Sequence, residues 1–201
     1  GADVNQILSM RAQAVIIIAF STTLLGGCRQ KFAAPISDAA TQQQQLDAGY
    51  SLLLGLMEDE SRVKDVLVIK SAPDDTKTLL KDISTTCSEA AEQLQAFGEA
   101  DPDLAMDQPG LPLLEQATRD AIASATAGRI LLAGKTFEVR ILLTQAEALN
   151  YGNFLARSIA KGDTDPDRSK YLDGLASRLE QLWKRTTARF DELVQQPADS
   201  G

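Results

Sequence analysis

Two cysteines, Cys28 and Cys87, are the only thiols in the chain, and there is no histidine to activate either. A cysteine or serine nucleophile ordinarily takes its base from histidine, and zinc and haem sites commonly draw on it too. Carboxylates are the remaining chemistry. Glu138, Glu147, Asp173 and Glu180 lie in helix-like sequence and invite comparison with di-iron bundles, in which facing helices supply Glu and Glu-x-x-His pairs. The Glu-x-x-His half is missing. Glu89 and Glu92 have Glu-x-x-Glu spacing, but no matching pair faces them. Glu99, Asp101, Asp103 and Asp107 offer oxygen ligands without the EF-hand order, so they read as a solvated acidic loop. A Cys-x-x-Cys-His haem site, a glycine-rich phosphate loop and a Gly-x-Ser-x-Gly elbow are all lacking. The expectation is a protein with no enzymatic activity, no cofactor and no metal site.

The 201 residues carry 20 Lys and Arg against 28 Asp and Glu, a net charge of −8. A phosphate backbone is repelled by that balance, so no nucleic-acid partner is expected. Residues 12–27 carry no charge and hold the most apolar run of the chain, Ala14 to Phe20 followed by Leu24 and Leu25. A bilayer span needs about 20 apolar residues, so this stretch is short for one and suits the apolar core of a signal peptide. Arg11 is its positive flank and Met10 a natural start, leaving residues 1–9 as an upstream extension.

Leu25, Gly26, Gly27 and Cys28 follow, an aliphatic residue, two small residues and a cysteine. This resembles the lipobox of bacterial lipoproteins, and the resemblance spans residues 10–28. It implies cleavage before Cys28, a diacylglycerol on the Cys28 thiol and further acylation, which together hold a chain stably on a membrane. It also implies a periplasm-facing protein of the cell envelope, at the outer membrane because Arg29 rather than Asp follows the cysteine. Cys87 is then left without a partner. An unlipidated Cys28 would leave residues 12–27 as an anchor or buried helix and make a Cys28–Cys87 disulfide possible.

Residues 28–37 read as the lipidated cysteine and a tether, 38–196 as the folded domain and 197–201 as a disordered tail. From Asp38 to Lys70 there is no proline, and Leu46, Tyr50, Leu53 and Met57 make one helical stripe. Ser71 is a candidate cap for a second helix, Asp74 to Phe97, whose seam is Ile83, Cys87, Ala90, Leu94 and Phe97, with Gly98 as its stop. Cys87 lies on that seam as a small core residue. Pro112 opens a run to Lys161 that at 1.5 Å per residue would reach roughly 75 Å, so it should kink or split at Gly128 or Gly134. Ala117, Ala121, Ala125 and Gly128 offer a narrow face for close helix approach. Gly162 stops this run, Asp165 caps the next, and Leu172, Leu175, Leu179, Leu182, Thr186, Phe190 and Leu193 stripe the last helix, Asp167 to Gln195. Trp183 flanks that stripe. Arg178, Lys184, Arg185 and Arg189 alternate with acids and suit ion pairs at the bundle rim.

These elements give an all-α, up-and-down antiparallel bundle of four or five long helices. The functional expectation is a membrane-anchored envelope lipoprotein with a binding, scaffolding or assembly role and an envelope protein as partner. The alternative is a carrier of a small hydrophobic or metal ligand inside the bundle.

Overall fold

The computed structural model describes residues 39–107 and 110–195, and the lipobox, the tether and the tail lie outside them. Helix α1 (Ala39–Glu60) is followed by a 3-10 turn (Val63–Asp65), α2 (Val66–Ile69), α3 (Asp74–Ala100), α4 (Leu113–Leu131), α5 (Phe137–Gly162) and α6 (Pro166–Gln195). Among the described residues there is no strand, and no helix is long and apolar enough to cross a membrane.

Side-chain bonds fix the direction of each helix. Glu58 of α1 meets Gln95 of α3, and the Ser51 hydroxyl reaches the Ala105 carbonyl just beyond α3, so α1 and α3 are antiparallel. Arg157 with Glu180 and Glu138 with Arg189 set α5 against α6 in the same sense. Asp82 with Arg185 and Asp101 with Arg168 do so for α3 and α6. Gly49 lies on Ile159, and Gly152 lies on Leu56, which makes α1 and α5 antiparallel as well. These four helices close one core. Tyr50, Leu53 and Met57 meet Leu80, Ile83, Cys87 and Leu94 from α3, Leu142 and Leu149 from α5, and Leu172, Leu175 and Leu179 from α6, all almost wholly buried. Each large aliphatic side chain removed from water in this way contributes roughly 1.5–3 kcal/mol.

Since α3 and α5 run parallel, the chain between them must return the length of the bundle, and α4 is that return. It makes the up-and-down order one of five helices with four around the core. The expected run from Pro112 splits at Leu132–Thr136, around Gly134, while Gly128 stays inside α4.

Several expectations require correction. The helix from Asp38 does not reach Lys70, because α1 stops at Glu60 and a turn follows in which Ser61 bonds the Glu58 carbonyl and Arg62 pairs with Asp59 at 2.8 Å. Ser71 does not cap α3; Pro73 occupies that position, and Asp74 and Asp75 place negative charge at the positive helix end. Gly98 does not end α3, which continues to Ala100. A Cβ on Gly98 would stand 2.5 Å from Met106 Cγ, so this glycine admits the loop that folds back over it. The loop is also less solvated than its acids suggest. Leu104 is buried, the Asp103 carbonyl accepts from Gln43, and the Ala105 N–H donates to Asp47. Finally, Ala117, Ala121 and Ala125 are exposed, and no helix among the described residues covers them.

Candidate functional site

The expected turn after α5 holds the most strongly built polar cluster. The Asp165 carboxylate accepts from the N–H groups of Asp167 and Arg168 at 2.9 Å each, a cap on α6. Asp163 is buried beside it and accepts from the Tyr50 hydroxyl at 2.7 Å, from Arg168 Nε at 2.8 Å and from Arg168 Nη2 at 3.0 Å. Burial alone would raise the Asp163 carboxyl, but the bonds from Arg168, Tyr50 and the Asp165 N–H outweigh it and hold the group below the usual carboxylate range. Burial and the Asp163 bond push the Tyr50 hydroxyl well up, so it stays a proton donor. Arg168 also binds Asp101, which fastens the end of α3 to the start of α6. Each charge here has a partner, and the cluster closes one end of the bundle.

The carboxylates singled out in the sequence are dispersed. Glu138 accepts from Arg189 at 2.9 Å and from Thr76. Glu180 pairs with Arg157 at 3.0 Å and Lys184 at 2.8 Å. Asp173, Glu89, Glu92, Glu99, Asp103 and Asp107 are exposed. Among the described residues, no group of three or more Cys, Asp and Glu is placed to hold a metal ion. The basic stretch of α6 forms rim pairs, with Arg185 on Asp82 and Arg189 on Glu138 and Glu192, while Arg178 lies over the Tyr171 ring at 5.6 Å.

Beneath α4 the packing is different. A cleft of about 930 Å³ opens between α4 on one side and the end of α1, α2 and α5 on the other. Ile130 is the single buried residue of α4. The helix is tied by Arg119, whose guanidinium lies 4.8 Å from the Tyr151 ring centroid and donates to the Tyr151 hydroxyl at 3.3 Å. Beyond its end, Lys70 Nζ donates to the Ala133 carbonyl at 3.0 Å. Ile122 (61% exposed) and Leu131 (41%) line the cleft from α4 without being covered.

Two polar side chains stand in the cleft wall among Leu56, Val66 and Ile141: Glu60, the last residue of α1, and Gln145 of α5. The Gln145 amide bonds Glu60, and its Oε1 is left with no partner. Gln145 is 3% exposed, and this is the only buried side-chain nitrogen or oxygen so orphaned among the described residues. An unmet acceptor of this kind costs roughly 1–3 kcal/mol. Burial raises the Glu60 carboxyl to about 7, with the Gln145 bond pulling down and the nearby Asp59 charge adding to the rise. Behind Glu60 lies Cys87, fully buried, its thiol pushed up to about 12 by burial and by the Glu60 charge. It is the core residue its seam position implied and is unsuited to act as a nucleophile.

Sequence reasoning passed over both Glu60 and Gln145, although a signal existed. Glu60 continues the stripe Tyr50, Leu53, Met57 at the next spacing of three, and Gln145 falls midway between Ile141 and Leu149 at spacings of four. A polar residue at a stripe position is directed into the interior. Comparison with family models, with curated proteins and with solved structures gives no match for this chain.

Proposed function

We propose that the protein is a lipoprotein of the bacterial cell envelope, anchored through Cys28 and facing the periplasm, whose helical domain binds rather than catalyses. The outer membrane is the favoured site, from Arg29. The observation that carries the binding role is the cleft under α4, a space of the size small-molecule sites occupy, largely apolar in its walls and lined by a residue whose buried acceptor has no partner among the described residues. The anchor is supported by the order Arg11, apolar core, Leu25, Gly26, Gly27, Cys28.

Intact-mass spectrometry of the protein purified from native membranes tests the anchor. The expected species begins at Cys28 and carries added acyl mass, and Cys28→Ala moves the protein out of the membrane fraction. An unlipidated chain that retains residues 10–27 overturns it. For the binding role, the expected outcome is that envelope extract, freed of protein, raises the melting temperature of the parent but not of an Ala127→Trp variant whose indole fills the cleft from α4. Equal shifts in the two proteins, or none, count against the cleft.

A further inference from the structure

The chemistry of the cleft narrows the class of molecule that fits it. Gln145, which lines it, carries in Oε1 a buried acceptor with no donor among the described residues. Glu60 beside it is a second acceptor when ionised, and among the described residues it has no lysine or arginine partner. The other charged groups around the opening are Asp59, Arg62, Asp65, Arg119 and Glu147. Arg62 is already paired with Asp59, and Arg119 is engaged on Tyr151. With Glu60 ionised, the four carboxylates of the lining stand against two guanidiniums, so its net charge is negative. Most of the remaining wall is hydrocarbon, supplied by residues such as Leu56, Val66, Ile122, Ile130 and Ile141, with the hydroxyls of Ser124, Thr126 and Thr144 among them.

We propose that the cleft binds an amphipathic amine, its ammonium head donating to Gln145 Oε1 and the Glu60 carboxylate and its apolar body lying between α4 and the α1–α5 wall. The assignment rests on the binding role proposed above but not on the lipid anchor. A carboxylate or phosphate head would bring negative charge to Glu60 and supply no donor to Gln145. A hydroxyl head supplies one donor for two acceptors. An ammonium supplies three and adds charge complementarity. The covering side of the cleft is a helix held by few contacts, so α4 can yield to admit a chain without opening the four-helix core.

Calorimetric titration of the full chain at pH 8 with octylamine, octanol and octanoate tests the assignment. Octylamine is expected to saturate at one molecule per chain, octanol to bind at least tenfold more weakly, and octanoate to give no binding. Gln145→Leu and Glu60→Gln should each weaken octylamine at least tenfold, and Ala127→Trp should abolish it. Glu60→Gln removes the carboxylate and offers its own amide donor to Gln145 Oε1, so this variant remains folded. Lowering the pH to 5 should weaken octylamine binding at least tenfold. The charged and titratable groups around Glu60 are Asp59, Arg62 and Asp65 from its own end of the chain, Cys87 from α3, Arg119 across the cleft on α4 and Glu147 on α5, and Glu60, raised to about 7, takes up a proton between those values. Octanoate binding as tight as octylamine, or octylamine binding within twofold of the parent in a folded Glu60→Gln protein, overturns the proposal. Failure of all three probes also overturns it, while a lipidated Cys28 species would leave the envelope anchor standing.

Discussion

Helices α4 and α6 make opposite use of apolar sequence. By mean hydropathy α4 is the more apolar of the two, with Leu113, Leu114, Ile122, Ile130 and Leu131, yet it buries Ile130 alone. Helix α6 is the more polar and buries Leu172, Leu175, Ala176, Leu179, Leu182 and Thr186. The contrast lies in arrangement. The leucines of α6 recur at three and four along one stripe, so one rotation about the helix axis buries them all. Those of α4 cluster at its two ends, and the alanine face between them offers little area to bury. Connectivity adds to this, because α4 joins two parallel helices of a core that is already closed. The chain thus divides into a finished four-helix core and an unfinished cover, and the cover is where an orphaned acceptor and a cleft survive.

The largest effects should fall on the finished side. Leu142 is fully buried on α5, and Leu142→Ala removes a side chain that the closed core cannot collapse onto. A loss of about 3 kcal/mol is expected, read by chemical denaturation with an unchanged dependence on denaturant. Next is Asp163→Asn, which leaves Arg168 and Tyr50 without the carboxylate they share. About 2 kcal/mol should be lost at pH 7. Since Asp163 is held below its unfolded value, its contribution is present above the ordinary carboxylate range and disappears as the pH falls through the lowered folded value. The deficit of the variant should therefore shrink below about pH 4, and a deficit that stays constant down to pH 2 would show that the carboxylate charge is not what holds the cluster.

This same division explains what could be read from the sequence. The last helix, the capping turn at Asp165 and the split near Gly134 follow from local signals, a stripe, an acceptor at a helix start and a glycine in an overlong run. The seam position of Cys87 was legible for the same reason. The end of α1 at Glu60 was not, because no proline or glycine marks it and the turn is fixed by long-range partners, including the Ser84 hydroxyl on the Ser61 carbonyl. The role of Gly98 was hidden too, since only the returning Met106 explains it. The alanine face of α4 looked like packing because helical periodicity shows which residues share a face but not whether another helix reaches it. Glu60 and Gln145 could have been flagged as polar members of apolar stripes, but their meeting across α1 and α5 is a tertiary fact.

Glu60→Gln sharpens the comparison from the unfinished side, with a gain rather than a loss. A carboxyl raised to about 7 in the folded state ionises more easily once unfolded, so the folded protein is favoured by low pH and loses that advantage between about pH 4.5 and pH 7. Replacement by the neutral amide should stabilise the protein by on the order of 1–2 kcal/mol at pH 8 and leave it nearly unchanged at pH 4.5. Parallel melting curves at the two pH values check this. A variant that is destabilised at pH 8 would mean that Glu60 is held by a favourable partner in its ionised form and is not a strained member of the cleft.

The smallest effect expected is at Ile122, a large aliphatic residue 61% exposed on α4. In the core an isoleucine-to-alanine change costs roughly 2–5 kcal/mol, whereas Ile122→Ala should change stability by less than about 0.5 kcal/mol. Its consequence should appear locally instead. Amide exchange along α4 should already be much faster than along α5 and α6, because among the described residues α4 buries Ile130 alone and its ties are Arg119 on Tyr151 and Lys70 on the Ala133 carbonyl just past its end. In Ile122→Ala the exchange of α4 should rise further while α5 and α6 keep their protection. If α4 instead exchanged with the protection of the core helices, and Ile122→Ala lowered the stability of all of them together, the cover and the core would be one cooperative unit and the cleft beneath α4 could not open independently.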